Sequence, residues 1–343
     1  MKNAKTRLEY DRVEWTQFQD RRIRLPGGRT YKKIDMVISA EVAKEDQPLA
    51  AANRLKYAFE NSTMKFAESK FTIPRSRTLR KYATAKTGQI PMASYHAGEE
   101  RVYCSIPIYL QPDPLRHWDS PEYGLPVSPE EEFYLRLNWS QTMHDLEDGD
   151  LDPEVSILTY EAIDPGSRSE FSVFSHFETV ESNDTDLKKH NLPTIEEHFS
   201  GLWLEPKFPG GGTLIPDNGG EPLFENGGGF DIGDLLPLIC DPYLQAKWGW
   251  DGMEHLLHEI NHGYMASQYA TEQGVGPMAM LLELLDPSPL IPEQCGYVPI
   301  FFAQDPAFCP KHHRADNHGW ELQRNSKYPV LVCSERVFQK EVF

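Results

Sequence analysis

No apolar run in this chain of 343 residues approaches the roughly 18 residues a helix needs to cross a bilayer, so no membrane span is expected. Cysteine is scarce: Cys104, Cys240, Cys295, Cys309 and Cys333 are odd in number and widely scattered. A disulfide framework needs paired cysteines at regular spacing, so a reduced, cytoplasmic protein is the simpler expectation. The opening residues, Met1-Lys2-Asn3-Ala4-Lys5-Thr6-Arg7, are charged and lead into no apolar segment, which argues against a secretory signal. The chain also lacks a G-x-S-x-G nucleophile elbow, a Walker loop, a Rossmann fingerprint and any internal repeat. Those absences remove the serine hydrolases, P-loop nucleotidases and dinucleotide enzymes that announce themselves by motif.

Hydrophobic residues make up 39% of the chain, enough for a sizeable core, and nothing signals global disorder. The length suits about two domains at roughly 150 residues each. The net charge of −18 is unevenly spread. Residues 1–90 carry 20 Lys and Arg against 10 Asp and Glu, a net of +10, which leaves −28 on residues 91–343. A basic segment on an acidic body can take an anionic partner such as nucleic acid. The acidic body would repel a phosphate backbone, however, so packing against its own acidic half or that of a neighbouring copy is favoured.

Residues 1–35 are polar, with basic clusters at Arg21-Arg22-Ile23-Arg24 and Tyr31-Lys32-Lys33 and a turn at Pro26-Gly27-Gly28, which suggests an arm or an edge element. Asp35 to Val42 reads as a strand. Gln47 to Asn61 reads as a helix burying Leu49, Leu55, Ala58 and Phe59, with a break at Pro74. Alternating segments predict strands over Arg101 to Gln111, Glu132 to Trp139, Val155 to Ala162 and Glu170 to Val180. Three glycine clusters interrupt residues 205–234. Beyond them the pattern turns helical, with a terminal strand at Pro329 to Cys333. The expected class is α+β: an antiparallel sheet or sandwich in the middle of the chain and a helical C-terminal part. The expected organisation is a basic N-terminal arm or segment at 1–90, a β-rich domain at 91–204, a Gly/Pro-rich connection at 205–234, and a helical region at 235–343 that ends in a Cys/His-rich segment.

The most specific chemistry in the sequence is His258-Glu259-Ile260-Asn261-His262, inside an amphipathic stretch from Asp251 to Gln268. Asp251-Gly252-Met253-Glu254 has capping-box form and starts a helix. Residues four apart stack on one helix face, so His258 and His262 can share one zinc ion while Glu259 reaches the metal's water. Zinc lowers the pKa of that water to about 7, and the carboxylate can then take its proton. Leu256 to Tyr264 resembles the zincin metallopeptidases, whose H-E-x-x-H helix it reproduces with uncharged intervening positions. The resemblance implies His258 and His262 as ligands and Glu259 as general base. Glu283, on the next predicted helix, is the third-ligand candidate, with Glu272 as fallback. The metzincin extension is missing, because Met265 and Gln268 stand where Gly and His would be needed.

Two weaker constellations accompany it. His117-Trp118-Asp119 with a later His176 has the form of an iron facial triad, but no arginine follows to bind an oxoacid. Cys309, His312, His313, Asp316 and His318 cluster without the paired C-x-x-C of a structural zinc knuckle. Two functional readings follow. The first is a zinc-dependent hydrolase, most simply a metallopeptidase acting on a peptide or protein. The second is a non-enzymatic subunit of a larger assembly, such as a viral or phage structural protein, whose partners are copies of itself or other subunits and whose place is the virion.

Overall fold

The computed structural model describes residues 4–14, 21–43, 48–60, 62–67, 69–87, 91–114, 118–140, 151–180, 188–191, 198–206, 298–300, 319–322 and 330–342. The chain divides into two compact units. One comprises Met1–Ala83, Pro91–Ser175 and Val337–Phe343, the other Thr84–Ile90 and His176–Arg336.

The first unit is built on two antiparallel sheets. Its elements in chain order begin with strands β1 (Ala4–Glu14), β2 (Arg21–Leu25) and β3 (Arg29–Glu41). Helix α1 (Pro48–Arg54), a 3-10 turn (Leu55–Tyr57), β4 (Ser62–Phe66), β5 (Ser69–Ile73) and α2 (Ser76–Thr87) follow. Then come β6 (Ala93–His96), β7 (Arg101–Tyr109), β8 (Leu125–Val127), β9 (Phe133–Leu137), β10 (Glu154–Ala162) and β11 (Arg168–Val180). One sheet runs β1-β10-β3-β7-β6, with β8 paired to β3, and the other runs β2-β9-β4-β5.

The strands follow from period-two patterning. β3 is central, flanked by β10 and β7, so it is buried along most of its length. Its inward residues form cross-strand rows: Ile34 pairs with Ile108, Met36 with Ile106 and Ile157, Ile38 with Cys104 and Val155. In the second sheet Ile23, Leu135, Met64 and Phe71 make one such row, all buried. The two sheets meet where Tyr31 of β3 packs on Phe133 of β9, ring centroids 5.1 Å apart. Farther along, Phe171 packs on Phe66 and Phe338 at 5.6 and 5.5 Å, and Phe71 joins Phe338 at 5.5 Å.

Two glycines hold backbone that a side chain would disrupt. Gly28, at φ +73°, closes the turn between β2 and β3 and donates to the Val127 carbonyl at 2.7 Å. Gly124, at φ +141°, lies so close to β3 that a Cβ would stand 2.9 Å from the Tyr31 oxygen.

In the second unit and on the strands that run into it, β12 (Lys188–Asn191) pairs with β15 (Gly319–Leu322). A four-stranded sheet has the order β11, β16 (Val330–Glu341), β13 (His198–Pro206), β14 (Val298–Ile300).

The α+β expectation is therefore corrected: the described residues are mostly β, in antiparallel, jelly-roll-like sheets. The helix expected over Gln47 to Asn61 shrinks to α1 and one 3-10 turn, with Leu55, Ala58 and Phe59 buried as expected. The described pieces of the supposedly helical C-terminal region, β14, β15 and β16, are strands. The terminal strand continues well past Cys333 to Glu341, with Phe338 packed on Phe71 and Phe171. Among the described residues the cysteines, Cys104 and Cys333, are buried and form no disulfide. Among the described residues, no helix is long and apolar enough to cross a membrane.

Candidate functional site

The residues singled out for metal chemistry, His258, Glu259, His262 and Glu283, lie outside the described residues, as do Glu272, His117 and the Cys309 to His318 cluster. Among the described residues no group of three or more His, Cys, Asp or Glu side chains could hold a metal ion.

What the described residues do hold is a set of buried charges tied to their surroundings. The Lys32 ammonium, fully buried on β3, donates to the Trp118 and Ser120 carbonyls at 2.6 and 2.7 Å. Burial lowers its pKa, and the charge of Asp119 partly restores it. Arg29 pairs with Glu161 at 2.8 Å and with Glu9, and Arg7 reaches Glu161 at 3.0 Å. Burial pulls the Arg29 guanidinium down, but the two carboxylates more than reverse that, so its pKa is raised. Arg80 of α2 spans three carbonyls, those of Pro91, Met92 and Ser105, at 2.7, 3.1 and 2.5 Å. In the second unit Lys86 and Glu335, 1% and 2% exposed, pair at 2.7 Å. Hydrogen bonds and ion pairs tie these groups to the surrounding strands and loops.

The surface holds two charged regions. The outward face of β2-β9-β4-β5 is basic because cations alternate with the buried apolar rows. One outward row is Arg24, Tyr134, Lys65 and Lys70, and the next is Arg22, Arg136, Thr63 and Thr72. The Arg22 guanidinium lies 3.8 Å over the Tyr134 ring and pairs with Glu132 at one end of the face. The other region is the end of the first sheet where β1, β3, β7 and β10 meet. There Arg101 pairs with Glu154 at 2.6 Å and Glu41 at 3.1 Å, and Arg12 comes within 3.7 Å of Glu99. The Tyr103 hydroxyl donates to Glu99 and holds that carboxyl below its ordinary pKa, aided by His96 and the arginines.

The basic cluster at Arg21 to Arg24 was visible in the sequence, but its partners on β4, β5 and β9 were not. The overlooked signal was cation–apolar alternation: Arg22-Ile23-Arg24-Leu25, Met64-Lys65-Phe66 and Lys70-Phe71 each repeat with period two.

No family model matches the chain, and no curated protein matches it by sequence. Solved structures do. The major capsid protein P2 from bacteriophage PM2 matches with a TM-score of 0.52 at 9% identity, covering 98% of both chains. A chain of the Sulfolobus turreted icosahedral virus structure matches at 0.55 and 8% identity, covering 98% of this chain and 90% of that one. A chain of the PBCV-1 virus capsid matches at 0.50 and 7% identity, covering 98% and 93%. The shared architecture is the double jelly roll, and it spans nearly the whole chain.

That match overturns the zincin resemblance and the zinc-hydrolase reading drawn from it. The resemblance covered about ten residues, and in a chain with 12 histidines an H-E-x-x-H arises by composition alone at an appreciable rate. A chain-long fold outweighs so short a motif.

Proposed function

We propose that this chain is a major capsid protein, a non-enzymatic subunit that assembles with copies of itself into the shell of a virion. One observation carries the reading. The fold likeness to capsid chains runs end to end, covering 98% of this chain and 98% of the PM2 protein, so no large part of either is left over for another task. The clamped interior supports it. A shell subunit must keep its shape under load from neighbours, and buried charges that reach backbone carbonyls and opposite strands fix strand register.

The test is sedimentation velocity over a wide concentration range. The expected result is a discrete oligomer that grows into larger assemblies as concentration rises. A chain of 39.3 kDa that stays monomeric throughout overturns the reading. Zinc held by His258, His262 and Glu283 stands as a separate proposal, independent of catalysis. Elemental analysis showing about one zinc per chain, lost on His258→Ala, supports it, and no bound zinc overturns it.

A further inference from the structure

We infer that the basic face of β2-β9-β4-β5 docks onto the acidic end of the first sheet in a second copy of this chain. The inference rests on the capsid reading above and assigns one of its subunit contacts.

The face is a rigid platform. Four hydrogen-bonded strands about 4.8 Å apart hold five cations, Arg22, Arg24, Arg136, Lys65 and Lys70, in two rows with Tyr134 among them. The strands' other faces are fixed in the core by Ile23, Leu25, Met64, Phe66, Leu135 and Phe133, all buried, so the cations cannot turn inward. Carboxylates flank the face, Glu132 at one end and Glu60 at the other. Among the described residues none stands on it, and none pairs with Arg24, Lys65 or Lys70.

The complement is on the same unit. Glu14, Glu41, Glu99, Glu100 and Glu154 lie where β1, β3, β7 and β10 end. Among the described residues Arg12 and Arg101 are the guanidinium groups beside these five carboxylates. Arg101 is buried and its charge is already spent on Glu41 and Glu154.

Charge decides the occupant. Copies that each carry −18 repel one another at long range. At physiological ionic strength the repulsion is screened beyond about 8 Å, and what remains is the local match. A face whose Arg24, Lys65 and Lys70 pair with no described carboxylate, set against a carboxylate-rich end, supplies that match. A nucleic acid would also meet the cations, but it would approach through the field of a strongly acidic body, which a second copy answers with its own acidic groups. The two regions differ, so the contact is head to tail, and such contacts close into rings when the rotation permits.

Charge exchange tests it. Variant one is Arg24→Glu with Lys65→Glu and Lys70→Glu; variant two is Glu14→Lys with Glu99→Lys and Glu100→Lys. Each alone is expected to raise the concentration for half-assembly at least about tenfold, because like charges then face each other. A single chain carrying both sets of changes is expected to recover assembly, since every reversed face then meets a reversed end. Raising the salt concentration is expected to weaken wild-type assembly. Should variant one melt below the wild type, the neutralised pair Lys65→Gln with Lys70→Gln carries the same test.

Wild-type-like assembly of either single folded variant, or failure of the folded combined variant to recover, overturns the docking inference and leaves the capsid reading standing. A wild type that never associates overturns both. If variant one loses binding to a labelled single-stranded DNA while assembling normally, the face serves nucleic acid and the inference is wrong.

Discussion

Lys86 and Glu335 illustrate how single residues are spent in this protein. Both side chains are almost wholly buried, and both carboxylate oxygens lie within 2.9 Å of the ammonium. Desolvating two charges is costly, and their close pairing offsets part of that cost. Removing one partner takes away the other's bidentate counter-charge. Lys86→Met is therefore expected to lower stability by about 3–5 kcal/mol in denaturant unfolding, and Lys86→Met with Glu335→Leu by clearly less. A single variant no less stable than the double would contradict the account. Glu131 makes a different case. Burial would raise its carboxyl pKa, but the Lys340 ammonium and the Ser128 N–H outweigh that and hold it below the ordinary 4.5. A depressed native pKa means the pair's contribution is complete above about pH 4.5 and is lost as pH falls through the lower native value. The denaturation midpoint of the wild type is expected to fall over that acidic window. Lys340→Met should flatten the fall, and an unchanged profile would show that the pair contributes nothing there.

At the scale of elements, the aromatic cluster joins pieces of chain far apart in sequence. Phe66 of β4, Phe71 of β5, Phe171 of β11 and Phe338 of β16 pack as one group in the first unit. Phe171 is 2% exposed, so Phe171→Ala is expected to cost about 3–5 kcal/mol by cavity formation. A loss under about 1 kcal/mol in chemical unfolding would mean the cluster collapses freely around the gap. Legibility at this scale followed hydrophobicity. β7, β9, β10 and the start of β11 stood out because apolar residues alternate cleanly in them, as Val102, Cys104, Ile106 and Ile108 do. β1 was hidden because an edge strand paired on one side tolerates charge at nearly every position, and none of residues 5–14 is buried. β2, β4 and β5 were hidden because their outward positions carry the cations of the basic face. α2, Ser76-Arg77-Thr78-Leu79-Arg80-Lys81, offers few apolar residues to mark a helical stripe, and its Arg80 spends its charge on backbone carbonyls. The candidate site was legible only as a cluster of like charges. Cross-strand register brings Arg24 beside Tyr134, Lys65 and Lys70, and no local pattern contains that.

For the whole molecule, the lesson concerns which kind of signal to weigh. The H-E-x-x-H run is local and chemically suggestive, yet it spans a few residues, whereas a fold constrains hundreds. The basic first ninety residues on an acidic remainder left packing on its own acidic half or on that of a neighbouring copy as the two readings, and the structure gathers part of that basic charge on one sheet face. The central claim is that this chain builds a shell. Electron microscopy of the concentrated, purified protein tests it most directly: the account predicts repeating, closed or sheet-like arrays of identical subunits, and a field of separate particles of single-chain size would contradict it.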